Sequence, residues 1–175
     1  MRIREGLRRG GGVAITLISD SPFTLTKLDI DDFENDSPLE VCWGIVKPRQ
    51  PTGQIKSIIV CSFYCPPRSR KKTDLLNHIT TNYFILKSKY PDSGFICGGD
   101  RNDLNTQLLL DIDPSFKQLV TMPIYKQSIL DIIVTDLGHY YLDPTTRSPV
   151  QPEDPATTCP SDHNIVIVKT NTSTL

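Results

Sequence analysis

The sequence predicts an α/β protein, because short runs of β-branched residues alternate with one strongly helical segment. Four runs have the composition of buried strands, at 58–61, 95–97, 129–135 and 165–168. The segment 73–89 instead carries apolar residues at helical spacing on one face, namely Leu75, Leu76, Ile79, Tyr83 and Leu86. This stripe is typical of a packing surface rather than of a cofactor site.

The length and the net charge of the chain limit the functions that it can have. At 175 residues the chain is expected to form one domain at 1–169, followed by a polar tail at 170–175. The net charge is −1, so any attraction for nucleic acid must come from local basic patches. The sequence shows neither a signal peptide nor an apolar run of membrane-spanning length, which predicts an intracellular protein with no membrane contact.

The five cysteines fit a reduced chain. Their number is odd, and no two of them form a C-x-x-C pair. Cys61, Cys65 and Cys97 lie in or beside strand-like runs, so we expect buried thiols. A zinc site is the alternative, but the spacing of the cysteines disfavours it.

The first part of the chain predicts a strand, an acidic connection and an antiparallel hairpin. The apolar run 13–18 follows three glycines and has the composition of a strand. The segment 29–40 holds six acidic residues and no basic one. A solvated connection explains it better than a calcium loop, whose spacing it does not match. The strand-like runs 39–46 and 54–63 flank a turn at 48–53 and are expected to pair.

A basic segment leaves the second strand of this hairpin and leads into the helix. Its cations are Arg68, Arg70, Lys71 and Lys72. Such a loop could bind a nucleic-acid backbone in a salt-dependent manner, or could simply keep the surface soluble. In the helix that follows, Thr73 is the expected N-cap. His78 lies off the apolar stripe and is expected at the surface.

The segment 95–105, Phe-Ile-Cys-Gly-Gly-Asp-Arg-Asn-Asp-Leu-Asn, is typical of a buried strand that ends in a functional loop. The two glycines allow a sharp turn and a close approach. Asp100 and Asn102 would point the same way if both were extended, and a carboxylate beside an amide suits a metal, a water and a phosphate. An Asx-rich turn is the alternative. Arg101 would face either a phosphate or solvent.

Asp131 and His163 form a second candidate pair. Asp131 is set into the third strand-like run, where a carboxylate needs a partner. His163 lies in the sequence Pro-Ser-Asp-His-Asn at 160–164, and an Asp that fixes an imidazole is a recurring catalytic device. Nearby, 116–121 is expected to be extended and 139–160 to form a long irregular connection.

The Gly-Gly-Asp-Arg-Asn-Asp stretch, the Leu-Asp-Ile-Ile-Val-Thr-Asp strand and the Pro-Ser-Asp-His-Asn ending resemble, in this order, the metal-dependent phosphoesterases of the endonuclease/exonuclease/phosphatase superfamily. They are most similar to the endonuclease domain of LINE-type (non-LTR) retrotransposons, over about 10–169. The resemblance implies a DNase I-like two-sheet α/β sandwich with helices outside. In the family an upstream segment carries an Asn and a metal-binding Glu that have no counterpart here. We therefore expect a domain that lacks its first strand or strands.

The resemblance also implies roles for individual residues. Asp100 would orient or deprotonate the attacking water, and Asn102 would donate hydrogen bonds to the phosphate and the water. Asp162, together with Asp100, would hold Mg²⁺, with Mn²⁺ as the alternative metal. His163 would contact a phosphoryl oxygen while Asp131 fixes and charges its ring.

Further residues would support the substrate. By the same resemblance Tyr64 lies at the phosphate, although a rim aromatic that caps the core is an equal alternative. Ser161 would support the phosphate and its loop. The cations of the basic segment would contact the DNA backbone.

These expectations lead to one function and two alternatives. The leading hypothesis is a Mg²⁺-dependent DNA endonuclease domain of a non-LTR retroelement that nicks its target and acts in the nucleus. A reverse transcriptase domain is expected in the parent polyprotein but is absent here. The alternatives are a phosphatase or phosphodiesterase of the same superfamily, acting on sugar or lipid phosphates, and a catalytically inactive retroelement fragment that lacks the upstream Glu.

Overall fold

A six-stranded mixed sheet forms the main body of the protein. The computed structural model describes residues 12–30, 39–50, 55–149 and 163–171. The strands of the sheet are β1 (Phe23–Lys27), β2 (Val41–Pro48), β3 (Ser57–Tyr64), β4 (Ser93–Asp100), β5 (Lys117–Gln118) and β6 (Asp131–Thr135). Their spatial order is β1-β2-β3-β4-β6-β5.

A small second sheet and three helical segments complete the described structure. The second sheet pairs β7 (Thr145–Arg147) with β8 (Ile165–Ile167) in an antiparallel arrangement. The helical segments are α1 (Lys72–Lys89), α2 (Gln107–Leu110) and one 3-10 turn (Gly138–Tyr140). Within the described ranges, no helix is both long and apolar enough to cross a bilayer.

The strand pairings explain how the chain reaches its central strand. β2 and β3 form the predicted antiparallel hairpin, with Trp43 opposite Cys61. β3 and β4 are parallel, so the chain must cross over between them, and α1 makes this crossover. β4 then pairs with β6 in an antiparallel sense. The central strand is therefore held on both sides, and both ladders extend to Asp100 at its end.

The core lies between α1 and one face of the large sheet. In β3 the residues Ile59, Cys61 and Phe63 are buried and alternate with half-buried ones, as the period of a strand requires. The predicted stripe of α1 packs here, with Leu76 partly buried and the other four members fully so. Phe95 of β4 stacks on Phe116, with their ring centroids 5.4 Å apart.

The cysteine prediction holds for the four cysteines that the structure describes. Cys42, Cys61, Cys65 and Cys97 are buried and form no disulfide. Burial raises the pKa of the Cys61 and Cys65 thiols, because a thiolate loses its hydration there. Cys159 lies outside the described residues.

Two predictions for α1 are wrong. The helix begins at Lys72 with Lys71 at the N-cap, so Thr73 lies inside its first turn and does not cap it. His78 is buried rather than exposed, because the indole Nε1–H of Trp43 donates a hydrogen bond of 3.1 Å to His78 Nε2. The two residues are 35 positions apart, so helical spacing alone gave no sign of this contact.

The ends of the chain differ from expectation in three places. The run 13–18 is not a strand, since it has no ladder partner among the described residues, although Val13 is buried. The edge strand β1 was not predicted, and its burial is slight. The connection 139–160 is not irregular throughout, because it contains β7. Most of the acidic connection, at 31–38, lies outside the described residues.

Candidate active site

Three polar side chains form a row across the large sheet where β3 and β4 end and β6 begins. Tyr64 is paired with Asp100 in the parallel ladder of β3 and β4. Asp100 is in turn directly opposite Asp131 in the antiparallel ladder of β4 and β6. Residues directly opposite each other project from the same face, with Cβ atoms about 5 Å apart. The structure therefore brings together two of the predicted carboxylates and the predicted tyrosine.

His163 extends this row through Asp131. Its Nδ1 lies 2.7 Å from Asp131 Oδ2. Because an ionised carboxylate can only accept, Nδ1 carries the hydrogen, and this N–H donates a hydrogen bond to Asp131. This hydrogen bond fixes the tautomer and places Nε2 at the opposite edge of the ring. The predicted pairing of Asp131 with His163 is confirmed, and their side chains keep 30% and 26% of their exposure.

The surroundings of Asp100 favour its protonated form. The pKa of this carboxyl is raised, first because burial disfavours the charged form and also because the Asp131 carboxylate lies opposite. The backbone N–H of Asn102 and the nearby His163 act in the other direction. A carboxyl group whose pKa is moved toward neutrality is better suited to accept a proton from a water than an ordinary aspartate is.

Asn102 does not lie in the extended geometry that would align it with Asp100. Its φ is +44°, in the left-handed region that Asn tolerates better than most residues. Its backbone N–H donates to Asp100 Oδ1 at 3.0 Å, which is an Asx turn. Its side-chain Nδ2 donates to the carbonyl of Cys65 at 2.9 Å. The Asx turn that the sequence offered as an alternative is therefore part of the candidate site. Through it, Asn102 links the end of β4 to the end of β3.

The side chain of Arg101 is half-buried and bonds to two backbone carbonyls. Its Nε donates to the carbonyl of Ile129 and its Nη1 to the carbonyl of Leu104, both at 2.9 Å. Its backbone N–H also donates to the carbonyl of Leu130, at 2.8 Å. Arg101 thus fastens the loop after Asp100 to the segment that delivers Asp131.

The two glycines before Asp100 lie within β4 rather than in a sharp turn. Gly99 permits a close approach, as predicted, because a Cβ at this position would overlap the backbone carbonyl of Phe63 on β3. At Gly98 a Cβ would lie 3.2 Å from the carbonyl oxygen of Ile132 and would be tolerated with a small shift. The narrow spacing at Gly99 holds Asp100 against β3.

The basic segment begins beside this row. The backbone N–H of Cys65 donates to the carbonyl of Asp100 at 2.9 Å, and the segment follows directly. Arg68 has a φ of +58°. Lys72 forms an ion pair with Asp103, whose pKa is lowered by this hydrogen bond. Lys72 is therefore engaged within the protein, and the predicted role of the segment in substrate binding stays a prediction.

The predicted metal site is only partly visible. Asp162 and Ser161 lie outside the described residues, so their positions stay predictions. Among the residues that the structure describes, no group of three or more His, Cys, Asp or Glu side chains could hold a metal ion. Asp100 offers oxygen ligands of the kind that Mg²⁺ prefers, and a cation there would offset the repulsion between Asp100 and Asp131. Asp100 is thus one possible ligand among the described residues, and the metal site stays a prediction.

Sequence reasoning missed Tyr125, whose ring lies beside His163 with a centroid distance of 5.2 Å. It also missed the two hydrogen bonds from the Arg101 guanidinium to backbone carbonyls. Neither contact follows from local spacing, because each joins segments that are distant in the chain. One signal was available in the sequence. Tyr125 is an aromatic residue just before the strand that carries the candidate carboxylate Asp131.

Comparisons with known proteins place the fold. No protein-family model and no curated protein sequence matches the chain. Among solved structures, the human Nocturnin catalytic domain with a bound sulfate anion is similar at 12% identity and a TM-score of 0.52. The match covers 86% of this chain and 61% of that one. A truncated TDP2 from Caenorhabditis elegans is similar at 14% identity and a TM-score of 0.54, over 83% and 66% of the two chains.

These neighbours have the DNase I-like endonuclease/exonuclease/phosphatase fold, and the predicted fold class is confirmed. The chain spans about two thirds or less of the length of each. The link to LINE-type retrotransposons is not part of this finding.

Gly99→Ala is expected to destabilise the fold far more than Gly98→Ala. The added methyl of Gly99→Ala meets the backbone of Phe63, which cannot move without breaking the ladder of β3 and β4. We expect a loss of about 3 kcal/mol for Gly99→Ala and about 1 kcal/mol or less for Gly98→Ala. Urea unfolding followed by Trp43 fluorescence measures both, and equal losses would contradict the close approach.

Asp100→Asn is expected to stabilise the folded chain at pH 7. Because the pKa of Asp100 is raised on folding, the native stability falls as pH rises through the window between the unfolded and folded pKa values. An amide avoids this loss and still accepts the hydrogen bond from Asn102. The urea midpoint should rise at pH 7, and the difference should vanish at about pH 3, where both states are protonated. Asp143→Asn, in an exposed loop, is the control and should show no such pattern.

Proposed function

We propose that the row of Tyr64, Asp100 and Asp131, extended by His163, is the active site of a Mg²⁺-dependent phosphoesterase that cleaves DNA. The observation that carries this proposal is the pair of opposed carboxylates, one of which holds a histidine by a hydrogen bond of 2.7 Å. A carboxylate beside an oriented imidazole supplies both a proton acceptor and a hydrogen-bond donor within one row. The biological role in this proposal is target nicking by the endonuclease of a non-LTR retroelement, in the nucleus.

The chemistry can be assigned to the residues of the row. Asp100 accepts the proton of the attacking water. His163, held by Asp131, donates from Nε2 to a phosphoryl oxygen as negative charge develops there. Asp131 stabilises the imidazolium form in this role. Tyr64, at the end of β3, would donate its hydroxyl to the same phosphate.

A metal ion would be held by Asp100 and Asp162 in this proposal. When bound, Mg²⁺, or Mn²⁺ in its place, neutralises charge on the phosphoryl and leaving oxygens. Asn102 can contribute its amide oxygen, because its Nδ2 is already engaged with Cys65. This differs from the expected role of Asn102 as a donor to both phosphate and water.

The solved neighbours support a phosphate-directed site without specifying the substrate. The catalytic domain of human Nocturnin, which has a similar fold, carries a bound sulfate anion in its structure. Sulfate is a tetrahedral oxyanion, like the phosphate group that our proposal places at the row. A phosphatase or phosphodiesterase of the same fold would use the same residues, so the substrate must be decided by experiment.

DNA is the preferred substrate because of the basic segment that begins at the site. Arg68, Arg70 and Lys71 precede α1 and follow Cys65, which is bonded to Asp100. The overall charge of −1 gives no long-range attraction for a polyanion, so these residues would supply it locally. Lys72 contributes less, because it is paired with Asp103.

Plasmid nicking tests the catalytic proposal. The purified 175-residue chain should nick supercoiled plasmid with Mg²⁺ and not with EDTA. Asp100→Ala and His163→Ala should each reduce the rate by at least about a hundredfold while the fold persists, because each removes a group that contacts the reacting atoms. The matched control is His139→Ala, an exposed histidine at the other end of β6.

The outcomes separate the alternatives. Full activity in Asp100→Ala or His163→Ala would refute the assignment. A folded chain that leaves plasmid intact but hydrolyses sugar or lipid phosphates would support the phosphatase alternative. A folded chain that is inactive on all these substrates would support a catalytically inactive fragment.

Neutralising the basic segment tests the DNA proposal. The triple variant Arg68→Gln, Arg70→Gln, Lys71→Gln should weaken binding to duplex DNA regardless of sequence. The salt dependence should also become shallower, by about 0.9 in the slope of log K against log salt for each lost phosphate contact.

The matched control neutralises three cations at the far end of the sheet, Lys47, Lys56 and Lys89. Equal weakening by the two triple variants would mean that only net charge matters, and would contradict a specific role for the segment.

A further inference from the structure

The segment just before β6 forms a closed turn beside the candidate site. The backbone N–H of Ile124 donates to the carbonyl of Ser128 at 3.1 Å, and the N–H of Ser128 donates to the carbonyl of Tyr125 at 2.8 Å. Lys126 at the tip has a φ of +50°, in the left-handed region. The side chain of Ile124 is 1% exposed, which anchors the turn in the interior. The turn therefore has a defined backbone path.

This turn is attached directly to the chain around His163. The backbone N–H of Asn164 donates to the carbonyl of Ile124 at 3.1 Å. The ring of Tyr125 then lies against the imidazole of His163, with centroids 5.2 Å apart and planes inclined by 33°. Tyr125 is half-buried at this position. The histidine is thus packed against an aromatic ring that the turn holds in place.

Two different contacts restrain the imidazole. Asp131 holds one edge of the ring through Nδ1, while Tyr125 lies against the ring itself. The χ2 torsion of histidine has a broad energy profile, so a hydrogen bond at Nδ1 constrains the tilt of the ring only loosely. A ring packed beside the imidazole narrows the range of this tilt.

The ring of Tyr125 is already engaged within the protein. Besides the imidazole, the Lys126 ammonium lies 4.9 Å from its centroid, within the range of a cation–π contact. These contacts favour a role in holding His163 over a role as a stacking platform for a nucleobase.

We propose that Tyr125 is a positioning residue that fixes the plane of His163 and thereby keeps the hydrogen bond between His163 and Asp131 formed. The catalytic importance of Tyr125 rests on the function proposed above, but its effect on the orientation of His163 does not. The relevant property is the aromatic ring, so Tyr125→Phe should preserve it and Tyr125→Leu should remove it. Tyr140, which lies 3.9 Å from His139 by ring centroids near the other end of β6, provides a matched control pair.

The primary test measures the Nδ1 proton of His163 by NMR in the full 175-residue chain. A hydrogen bond of this kind gives a downfield proton signal, whose linewidth and exchange with water report how stably the hydrogen bond is held. We expect this signal in the wild-type chain, Tyr125→Phe and Tyr140→Leu. In Tyr125→Leu it should broaden or disappear, with at least a tenfold faster exchange. His163→Gln identifies the signal.

The outcome of this measurement decides the proposal. An unchanged signal in Tyr125→Leu would overturn it, and so would the absence of the signal from the wild-type chain. Near-UV circular dichroism and Trp43 fluorescence establish that the variant is folded. If Tyr125→Leu does not fold, Tyr125→Met replaces it, because methionine keeps much of the apolar volume without the ring.

Hydrolysis supplies a second readout. If the chain cleaves phosphodiesters, Tyr125→Leu should lower kcat roughly tenfold with little change in KM, since a misplaced group loses transition-state stabilisation but not binding. Tyr125→Phe should restore kcat. A change in KM alone would contradict positioning. A chain without hydrolysis that still shows the NMR difference would overturn the proposed function and leave the positioning of His163 established.

Discussion

The hydrogen-bond ladder between β4 and β6 is the constraint on which the candidate site depends. Its register sets Asp100 directly opposite Asp131, and a slip of one residue would turn Asp131 toward the core. The neighbours that hold this register are Ile132 and Val134, each 1% exposed on the face covered by α1. The apolar core therefore sets the geometry of the polar row from the opposite side of the sheet.

The row carries an electrostatic conflict that the fold only partly relieves. Two carboxylates face each other across neighbouring strands, and burial further disfavours the charge on Asp100. His163 and the backbone N–H of Asn102 offset part of this cost. A protein selected for stability alone would place a neutral residue at one of these positions. The position of the two acids is therefore not explained by their contribution to folding.

The sequence predicted the elements whose signals are local and failed where contacts join distant segments. The strand-like runs and the stripe of α1 have periodic patterns, so the hairpin and the helix were found. The pairing of Asp131 with His163 was found because a carboxylate inside a strand requires a partner. The burial of His78 depends on Trp43 in another strand, and the place of Tyr125 depends on the docking of a turn. No spacing rule contains that information.

The internal bonds of the site limit which residues remain to meet a substrate. Asn102 uses its Nδ2 on Cys65, Arg101 uses its guanidinium on two carbonyls, and Lys72 is paired with Asp103. Each of these would have been a natural phosphate ligand on the evidence of sequence alone. Because they hold the loops together instead, recognition of a polyanion, as proposed above, would depend on Arg68, Arg70 and Lys71 and on the donors of the row itself. The bonds of Asn102, Arg101 and Lys72 therefore stiffen the loops around the row, and they help to hold Asp100 and Asp131 in fixed positions.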